Sequence, residues 1–307
     1  MKAGRVKEAI REALAQSQPV VALESALMTH GLGHPSNLKI ARRLEAAVRE
    51  AGALPATIAV LDGLAHVGLS DDELLRLASP ADSRRPAAGR PRKISLRDLP
   101  IALAGGESGG TTVAATLHLA HSVGVGVLAT GGIGGVHRGH PEDVSADLTA
   151  LGSIPLTVVC SGAKSILDLP RTLELLETKG VPVVGYGTKD FPAFYSRRSG
   201  LEVEGIVDTP EEVAELARMR NSLGLRPALL VCVPPPEDAA LSPEEAEAAV
   251  IQATEEAETA GVSGKAVTPF LLARIVTLTD GKAQRANEAL LVNNARVAAL
   301  IARELTR

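Results

Sequence analysis

Short, continuously apolar runs recur along the chain and alternate with segments of helical spacing. The runs are rich in Val, Ile and Leu and lie at residues 19–25, 57–63, 101–106, 124–132, 156–162, 181–187 and 228–234. Because they are apolar throughout rather than at every second position, they predict strands that are covered on both faces. Their alternation with helical patterns predicts the α/β class, as a three-layer α/β/α fold with a largely parallel central sheet.

The helical patterns carry conventional start signals and show no obvious domain boundary. Ser36, Ser70 and Thr209 are predicted N-caps. The proline- and arginine-rich segment SPADSRRPAAGRPR at residues 79–92 predicts a surface loop. Nothing resembles an interdomain linker, so we expect one domain over residues 1–307, with the C-terminal helices packed on the same core.

Composition narrows the class of partner. The net charge of −4 gives no electrostatic reason to expect nucleic acid, and aromatic residues, at 2%, are too scarce for base stacking. No apolar run approaches the roughly 20 residues that cross a bilayer. Cys160 and Cys232 lie inside apolar runs, as core thiols of a reducing compartment do. We therefore expect a cytoplasmic protein that binds neither nucleic acid nor membrane.

Polar residues at the ends of the predicted strands are the first candidates for chemistry, because ligands of open α/β sheets bind there. Glu24 closes the first apolar run. A carboxylate in that position is either a buried structural group or a general acid/base whose proton affinity is raised by desolvation. The sequence favours the functional reading only slightly.

Two glycine-rich turns offer backbone N–H groups to an anion. ATGGIGGVHRG fails the dinucleotide fingerprint, because His137 stands where its third glycine is required. Such a turn still allows close approach of an anion to the main chain. In GGESGGTTVAAT, Thr111 and Thr112 open a helix whose N-terminus suits a phosphate, although glycine there also serves tight packing.

Asp143 and Asp147 are four residues apart and would share one face of a helix. Paired carboxylates suit Mg²⁺ or Mn²⁺ rather than Zn²⁺. Acidic residues that merely favour a helix start are the competing explanation, and the pattern alone prefers it. Lys93, taken alone, predicts a solvated charge.

Lys164 lies where the apolar run VVCSG passes into a helical pattern. A lysine must lose its proton before it attacks a carbonyl carbon, and apolar surroundings favour the neutral amine. With a sugar aldehyde such an amine forms a Schiff base, which permits bonds to carbon to break. A solvated surface lysine is the alternative.

Ten stretches, taken in order, resemble the pseudouridine-5′-phosphate glycosidase family over nearly the whole chain. They are ALESALMTHGLGHPSN, PATIAVLDG, RKISLRDLP, GTTVAAT, ATGGIGGVHRG, DVSADL, CSGAKSILDLP, GYGTKDFPAF, GKAVTPFLLARI and LLVNNA. The resemblance implies reversible cleavage of the carbon–carbon glycosidic bond of pseudouridine 5′-phosphate to uracil and ribose 5-phosphate. It also implies a divalent cation, Mn²⁺ or another such as Mg²⁺, and a homotrimer.

The resemblance also implies roles for individual residues. Lys164 would attack C1′ of the ribose, Glu24 would move the proton on and off the ring oxygen, and Asp147 would protonate uracil. Asp143 would hold the metal. The uracil pocket would be lined by Ser145 and Ala146. The phosphate and the opened sugar would be surrounded by Lys93, Thr112, Val113, Thr130, His137 and Asn287.

Two other functions use part of the same sequence features. A Schiff-base aldolase or lyase acting on another sugar phosphate would use Lys164 and a phosphate site, but it gives the segment DVSADL no role. A non-catalytic nucleotide-binding regulator would need the glycine-rich turns and not Lys164. Release of uracil would distinguish the glycosidase from the aldolase or lyase. Trapping of a lysine adduct would distinguish it from the non-catalytic regulator.

Overall fold

The computed structural model describes residues 4–31, 33–79, 91–262 and 267–307. Most of the predicted surface loop, residues 80–90, lies outside the described residues. The strands are β1 (Gly4–Val6), β2 (Val20–Leu23), β3 (Leu54–Leu61), β4 (Leu64–Val67), β5 (Arg92–Ile94), β6 (Gly109–Thr111), β7 (Val127–Ala129), β8 (Val136–His137), β9 (His140–Val144), β10 (Thr157–Cys160), β11 (Leu167–Asp168), β12 (Val183–Tyr186), β13 (Gly205–Val207) and β14 (Leu229–Cys232).

The helices lie between these strands and after the last one. They are α1 (Glu8–Ala15), α2 (Ser36–Glu50), α3 (Asp71–Ala78), α4 (Leu99–Ala104), α5 (Val113–His121), α6 (Ala146–Leu151), α7 (Leu169–Thr178), α8 (Pro210–Ser222), α9 (Pro243–Thr259), α10 (Val267–Leu278) and α11 (Lys282–Leu305). A π-helical turn covers Leu27–Gly31, and a 3₁₀ turn covers Leu96–Asp98. None of the helices in these ranges is long and apolar enough to span a bilayer.

The main sheet has the order β1-β4-β3-β2-β7-β10-β14-β12-β13, with β6 paired to β3 and β5 paired to β6. Every pair from β3 through β13 along this path is parallel, whereas β4 and β6 run antiparallel to β3. Parallel neighbours place their carboxyl ends at one edge of the sheet. The expected α/β class with a largely parallel sheet is therefore confirmed.

A second, smaller sheet lies beside that edge. It has the antiparallel order β11-β8-β9. We refer to residues 136–144, which contain β8 and β9, as the ribbon. The ribbon follows β7 along the chain, so it extends from the carboxyl end of a central strand.

The central strands are buried on both faces, as their continuous apolar sequences predict. All four residues of β2, of β10 and of β14 are buried. One hydrophobic cluster extends from Ile10 in α1 to Ala302 in α11, so helices from both ends of the chain pack on the same sheet. A single domain over residues 1–307 would show such a core, and the one-domain organisation stays a prediction.

Two local predictions are wrong. The apolar run at residues 101–106 was expected to be a strand, but it contains the end of helix α4. The helix starts at Leu99 with proline in its first turn, where a missing N–H costs nothing. Ser36 is the first residue of α2 rather than its cap, whereas Ser70 and Thr209 do cap α3 and α8 through their side chains.

Candidate active site

Glu24 is the first residue after β2, at the carboxyl edge of the sheet. Its Oε2 accepts a hydrogen bond of 3.1 Å from the backbone N–H of Leu27, in the π-helical turn. Burial raises the pKa of the Glu24 carboxyl, the charge of Lys164 and the Leu27 N–H oppose that rise, and the charge of Asp147 adds to it. Glu24 therefore keeps its proton at a higher pH than an ordinary glutamate and lies in the field of two other candidate groups.

Asp147 is buried in the first turn of α6, and both of its carboxylate oxygens are occupied. Oδ1 accepts from the N–H of Ala114 at 2.9 Å, and Oδ2 accepts from the N–H of Gly134 at 2.9 Å. The first donor lies at the N-terminus of α5, and the second lies in the turn ATGGIGG. The anion that this glycine-rich turn approaches is thus the protein's own carboxylate, whose orientation is fixed by the main chain.

The close approach requires glycine at position 134. A Cβ on Gly134 would overlap Ser145 Oγ and lie 2.9 Å from Asp147 Oδ2. Ser145 caps α6, and its Oγ accepts from the N–H of Asp147 at 3.2 Å. The residues of DVSADL therefore start a helix at Ser145 and turn Asp147 toward the glycine-rich segment.

Lys164 follows β10 in a segment fixed by backbone hydrogen bonds. Its N–H donates to the carbonyl of Ile133 at 3.1 Å, and the N–H of Ile133 donates to Gly162 at 3.0 Å. Gly162 has a φ of +78°, and a Cβ there would overlap the carbonyl of Pro192. Lys164 is half-buried. Because Glu24 interacts with both Lys164 and Asp147, we call these three residues the strand-end site.

Arg138 ties the ribbon to the segment that follows Lys164. Its guanidinium donates to the carbonyls of Ser165 at 3.0 Å and Leu167 at 3.1 Å. It also forms a bidentate ion pair with Glu247 on α9, at 2.5 and 2.9 Å. The Arg138 hydrogen bonds lower the pKa of Glu247. A side chain adjacent to His137 thus holds the lysine segment in place from outside the strand-end site.

The predicted phosphate residues lie around the N-terminus of α5. Thr112 caps this helix, and its N–H donates to the carbonyl of Ile94 on β5 at 2.9 Å. Lys93 precedes Ile94, pairs in register with Gly110 and is exposed. Val113 is the buried first residue of α5. The structure therefore brings Lys93, Thr112 and Val113 together, next to the N–H of Ala114 that binds Asp147.

The other predicted substrate residues lie on separate elements. Thr130 is buried one residue beyond β7, and its N–H donates to Val159 at 3.0 Å. His137 is half-buried on β8, in register with Leu167. Ala146 is exposed as the first residue of α6. Asn287 lies on α11, and its buried Oδ1 has no hydrogen-bond partner among the described residues, as expected of an atom that meets a ligand.

The helical pairing of Asp143 with Asp147 is wrong. Asp143 lies on β9, all of whose residues are exposed, and the helix begins only after Ser145. The end of β9 and the capping residue Ser145 lie between the two carboxylates. Both oxygens of Asp147 already accept backbone N–H bonds. Within residues 4–31, 33–79, 91–262 and 267–307, no group of three or more His, Cys, Asp or Glu could hold an ion. Of the two carboxylates, Asp143 is the exposed one, and a single exposed carboxylate suits a cation that keeps most of its water.

Sequence reasoning missed a buried amide next to the site. Asn294, fully buried on α11, donates to the carbonyl of Thr130 at 2.9 Å and to Ser161 Oγ at 3.1 Å. The available signal was its position seven residues after Asn287, on the same face of an otherwise apolar helical pattern.

The chain matches the model of the family described as indigoidine synthase A like protein over residues 9–304. It is 51% identical over 303 residues to the pseudouridine-5′-phosphate glycosidase of Chloroflexus aurantiacus, covering 97% of each chain. It is 52% identical over 294 residues to the enzyme of the same name from Paracoccus denitrificans, covering 95% of this chain and 94% of the relative. The resemblance seen in the sequence motifs is confirmed.

Two solved structures share the fold. The first is the prealnumycin C-glycosynthase AlnA in complex with ribulose 5-phosphate, with a TM-score of 0.89, 38% identity, and coverage of 100% of this chain and 98% of that chain. The second is an indigoidine synthase A-like protein from Thermotoga maritima, with a TM-score of 0.85, 38% identity, and coverage of 95% and 94%.

Proposed function

We propose that this chain, an enzyme of the indigoidine synthase A like family, cleaves pseudouridine 5′-phosphate reversibly to uracil and ribose 5-phosphate. Its relatives named pseudouridine-5′-phosphate glycosidase are about half identical to it in sequence. The observation that carries this proposal is the geometry of the strand-end site. Glu24 follows β2, Asp147 is bound by the turn after β7, and Lys164 follows β10, so all three lie at the carboxyl ends of adjacent parallel strands. The ribulose 5-phosphate bound by AlnA, a relative at 38% identity, supports a sugar phosphate as the substrate.

A carbon leaving group explains why a lysine is needed. Ordinary glycosidases protonate a leaving oxygen between two carboxylates, but a carbon leaving group has no lone pair to protonate. In our proposal the amine of Lys164 bonds to C1′ as the bond from C1′ to the ring oxygen breaks. A proton is then added to the uracil carbon that carries C1′. The nitrogen lone pair forms a protonated imine as the carbon–carbon bond breaks, and the electron pair of that bond restores the double bond of uracil. Water hydrolyses the imine and releases ribose 5-phosphate.

The two carboxyl groups are suited to different proton transfers. The raised pKa of Glu24 supports a role as the acid that protonates the ring oxygen, because burial of the carboxyl favours its protonated form. Asp147 accepts one backbone N–H bond at each oxygen, so its carboxylate has a fixed orientation. In our proposal this carboxylate takes up a proton and relays it to the uracil ring. Ser145 and Ala146 would line the uracil pocket.

We propose that the phosphate binds at the N-terminus of α5, between Thr112, Val113 and Lys93. A helix N-terminus and a lysine together suit a dianion. Thr130, His137 and Asn287 would contact the opened sugar, and the unpartnered Oδ1 of Asn287 supports this for the amide.

A divalent cation, Mn²⁺ or Mg²⁺, belongs to the proposal through Asp143 alone. When bound there, it would supply positive charge beside the uracil pocket, since Asp143 precedes Ser145 by two residues. The exposure of Asp143 supports a cation that keeps most of its water.

We also propose a homotrimer. Leu216, Met219 and Leu223 lie three and four residues apart along α8 and its end, and each is exposed in the single chain. An apolar stripe of this kind is what a subunit contact would cover. Light scattering of the purified protein gives the number of subunits directly.

Release of uracil from pseudouridine 5′-phosphate tests the function. We expect turnover with the nucleotide and efficiency about 10²–10⁴-fold lower with unphosphorylated pseudouridine, from two lost charge-assisted contacts. Absence of uracil would contradict the proposed reaction and leave the aldolase alternative, which acts on another sugar phosphate. Equal efficiency for nucleoside and nucleotide would contradict the phosphate site alone.

A further inference from the structure

Asn294 on α11 bridges the carboxyl ends of β7 and β10. Its side-chain nitrogen donates to the carbonyl of Thr130, just beyond β7, at 2.9 Å. The same nitrogen contacts Ser161 Oγ, just beyond β10, at 3.1 Å, and this hydroxyl can donate back to Asn294 Oδ1 at 3.3 Å. Both Asn294 and Ser161 are fully buried, so no water competes for these contacts.

Beyond this bridge, a series of backbone hydrogen bonds joins the segments that follow β7 and β10, and we call this series the zipper. Ser161 donates to Gly131 at 2.8 Å, Ile133 donates to Gly162 at 3.0 Å, and Lys164 donates to Ile133 at 3.1 Å. One residue further on, the N–H of Gly134 binds Asp147. The bridge at Asn294 is therefore the first contact of a series that ends at two members of the strand-end site.

Resting on the function proposed above, we propose that Asn294 is a positioning residue for the reaction. Its amide fixes the separation of Thr130 from Ser161, and through the zipper it sets where Lys164 lies relative to Asp147. Asn294 also anchors the helix that carries Asn287, which lies on the same face two turns earlier. It acts through these residues and touches no reacting atom.

The relative positions of Lys164, Glu24 and Asp147 matter because the proposed reaction needs all three groups around C1′ of the ribose. A misplacement of about 1 Å costs on the order of 10²-fold in rate. The phosphate residues are held by other contacts, since Thr112 is bound to Ile94 on β5. Loss of the bridge should therefore lower kcat by a larger factor than it changes KM for the nucleotide. If the Asn294 amide were purely structural, its loss would lower the melting temperature and change neither kcat nor KM.

Arg220 provides the matched control. It is buried on α8 and donates to the carbonyl of Leu156 at 2.8 Å, at the amino end of the same strand β10. Arg220→Met removes a buried polar tie to β10 far from its carboxyl end. It should lower the melting temperature and leave kcat within about twofold of wild type, an allowance well below the 10²-fold scale of a misplaced group.

The experiment compares uracil release by wild type, Asn294→Ala, Ser161→Ala and Arg220→Met below their melting temperatures. We expect a loss in kcat of about 10²-fold for Asn294→Ala, a smaller loss for Ser161→Ala, which keeps the Thr130 contact, and none for Arg220→Met. A normal kcat in Asn294→Ala, or an equal loss in Arg220→Met, overturns the inference. If Asn294→Ala does not fold, Ser161→Ala decides by the same split of kcat from KM.

Wild-type enzyme that releases no uracil would refute the proposed function and not the bridge. Crystal structures of wild type and Asn294→Ala, or Ser161→Ala if the first variant does not fold, then decide the bridge. The inference expects the backbone at Lys164 to shift relative to Thr130. Superposable segments in variant and wild type overturn it.

Discussion

The strand-end site and the ribbon lie side by side, yet they are built in opposite ways. Asp147 in the site has both oxygens bound by backbone N–H groups, and Lys164 lies in a segment zipped to its neighbour. In the ribbon every residue of β9, Asp143 included, is exposed. The contrast shows that the side chain of Asp147 is held in one orientation, whereas the carboxylate of Asp143 is open to solvent.

The two regions are joined by Arg138, which extends from the ribbon to the carbonyls after Lys164. If the two regions differ in role, variants of the strand-end site should mainly lower the rate, and variants of the ribbon should mainly change the metal dependence. Equal losses of rate in both regions would show that they do not differ in this way.

The largest effect is expected for Lys164→Ala, because the amine is the proposed nucleophile. Uracil release should fall by about 10⁴-fold or more, while the melting temperature changes little, since this half-buried side chain carries little of the core. Lys189→Ala is the control, because Lys189 is an exposed lysine whose ammonium pairs with Glu202 at 3.0 Å. A Lys164→Ala enzyme that works at a near-normal rate would leave Lys164 an ordinary surface lysine.

Glu24→Gln should lower uracil release by about 10²–10⁴-fold, the usual contribution of a general acid. Glu45→Gln is the control, because Glu45 is also buried but binds Thr57 Oγ1 at 2.7 Å, outside the site. It should lose stability without losing kcat. Similar rates for Glu24→Gln and wild type would remove Glu24 from the chemistry.

The same variant has a signature in the pH dependence of stability. The folded-state pKa of Glu24 is raised above its ordinary value of 4.5, so the folded protein binds this proton more tightly than the unfolded chain. The resulting stabilisation is complete below pH 4.5 and is lost as pH rises through the raised pKa. Urea titrations should therefore show Glu24→Gln gaining stability relative to wild type as pH increases above 4.5. A constant difference would contradict the shift.

The smallest effect is expected in the ribbon. After chelation, Asp143→Asn should need more Mn²⁺ or Mg²⁺ for half-maximal rate than wild type, with a modest loss at saturating metal. Glu142→Gln is the control, because Glu142 is the neighbouring exposed carboxylate on the same strand and has no role in the proposal. Full activity of metal-free wild type, or equal metal dependence for Asp143→Asn and wild type, would contradict a cation at Asp143.

Sequence predicted well wherever burial alone decides the structure. The runs ending at Leu23 and Cys160 are continuously apolar, and each is a central strand. The run at residues 101–106 failed because a short apolar stretch has no period that separates a buried strand from a helix. Spacing failed for Asp143 and Asp147 because a capping serine between them starts a new helix.

The geometry of the site was only partly predictable. That Glu24 and Lys164 lie at the same edge of the sheet follows from both coming after the carboxyl ends of parallel strands. The contact of Gly134 with Asp147, and that of Asn294 with Thr130 across 164 residues, depend on how distant segments pack. No local pattern contains such information, and Asn294 was accordingly overlooked.

The covalent bond proposed between Lys164 and C1′ of the opened ribose can be trapped by reduction. The protein is incubated with ribose 5-phosphate, reduced with borohydride and digested, and the modified peptide is identified by mass spectrometry, with Lys164→Ala treated in parallel. We predict one ribityl phosphate adduct on Lys164 and none in the variant. An adduct on another lysine, or no adduct under conditions where uracil is released, would contradict the account.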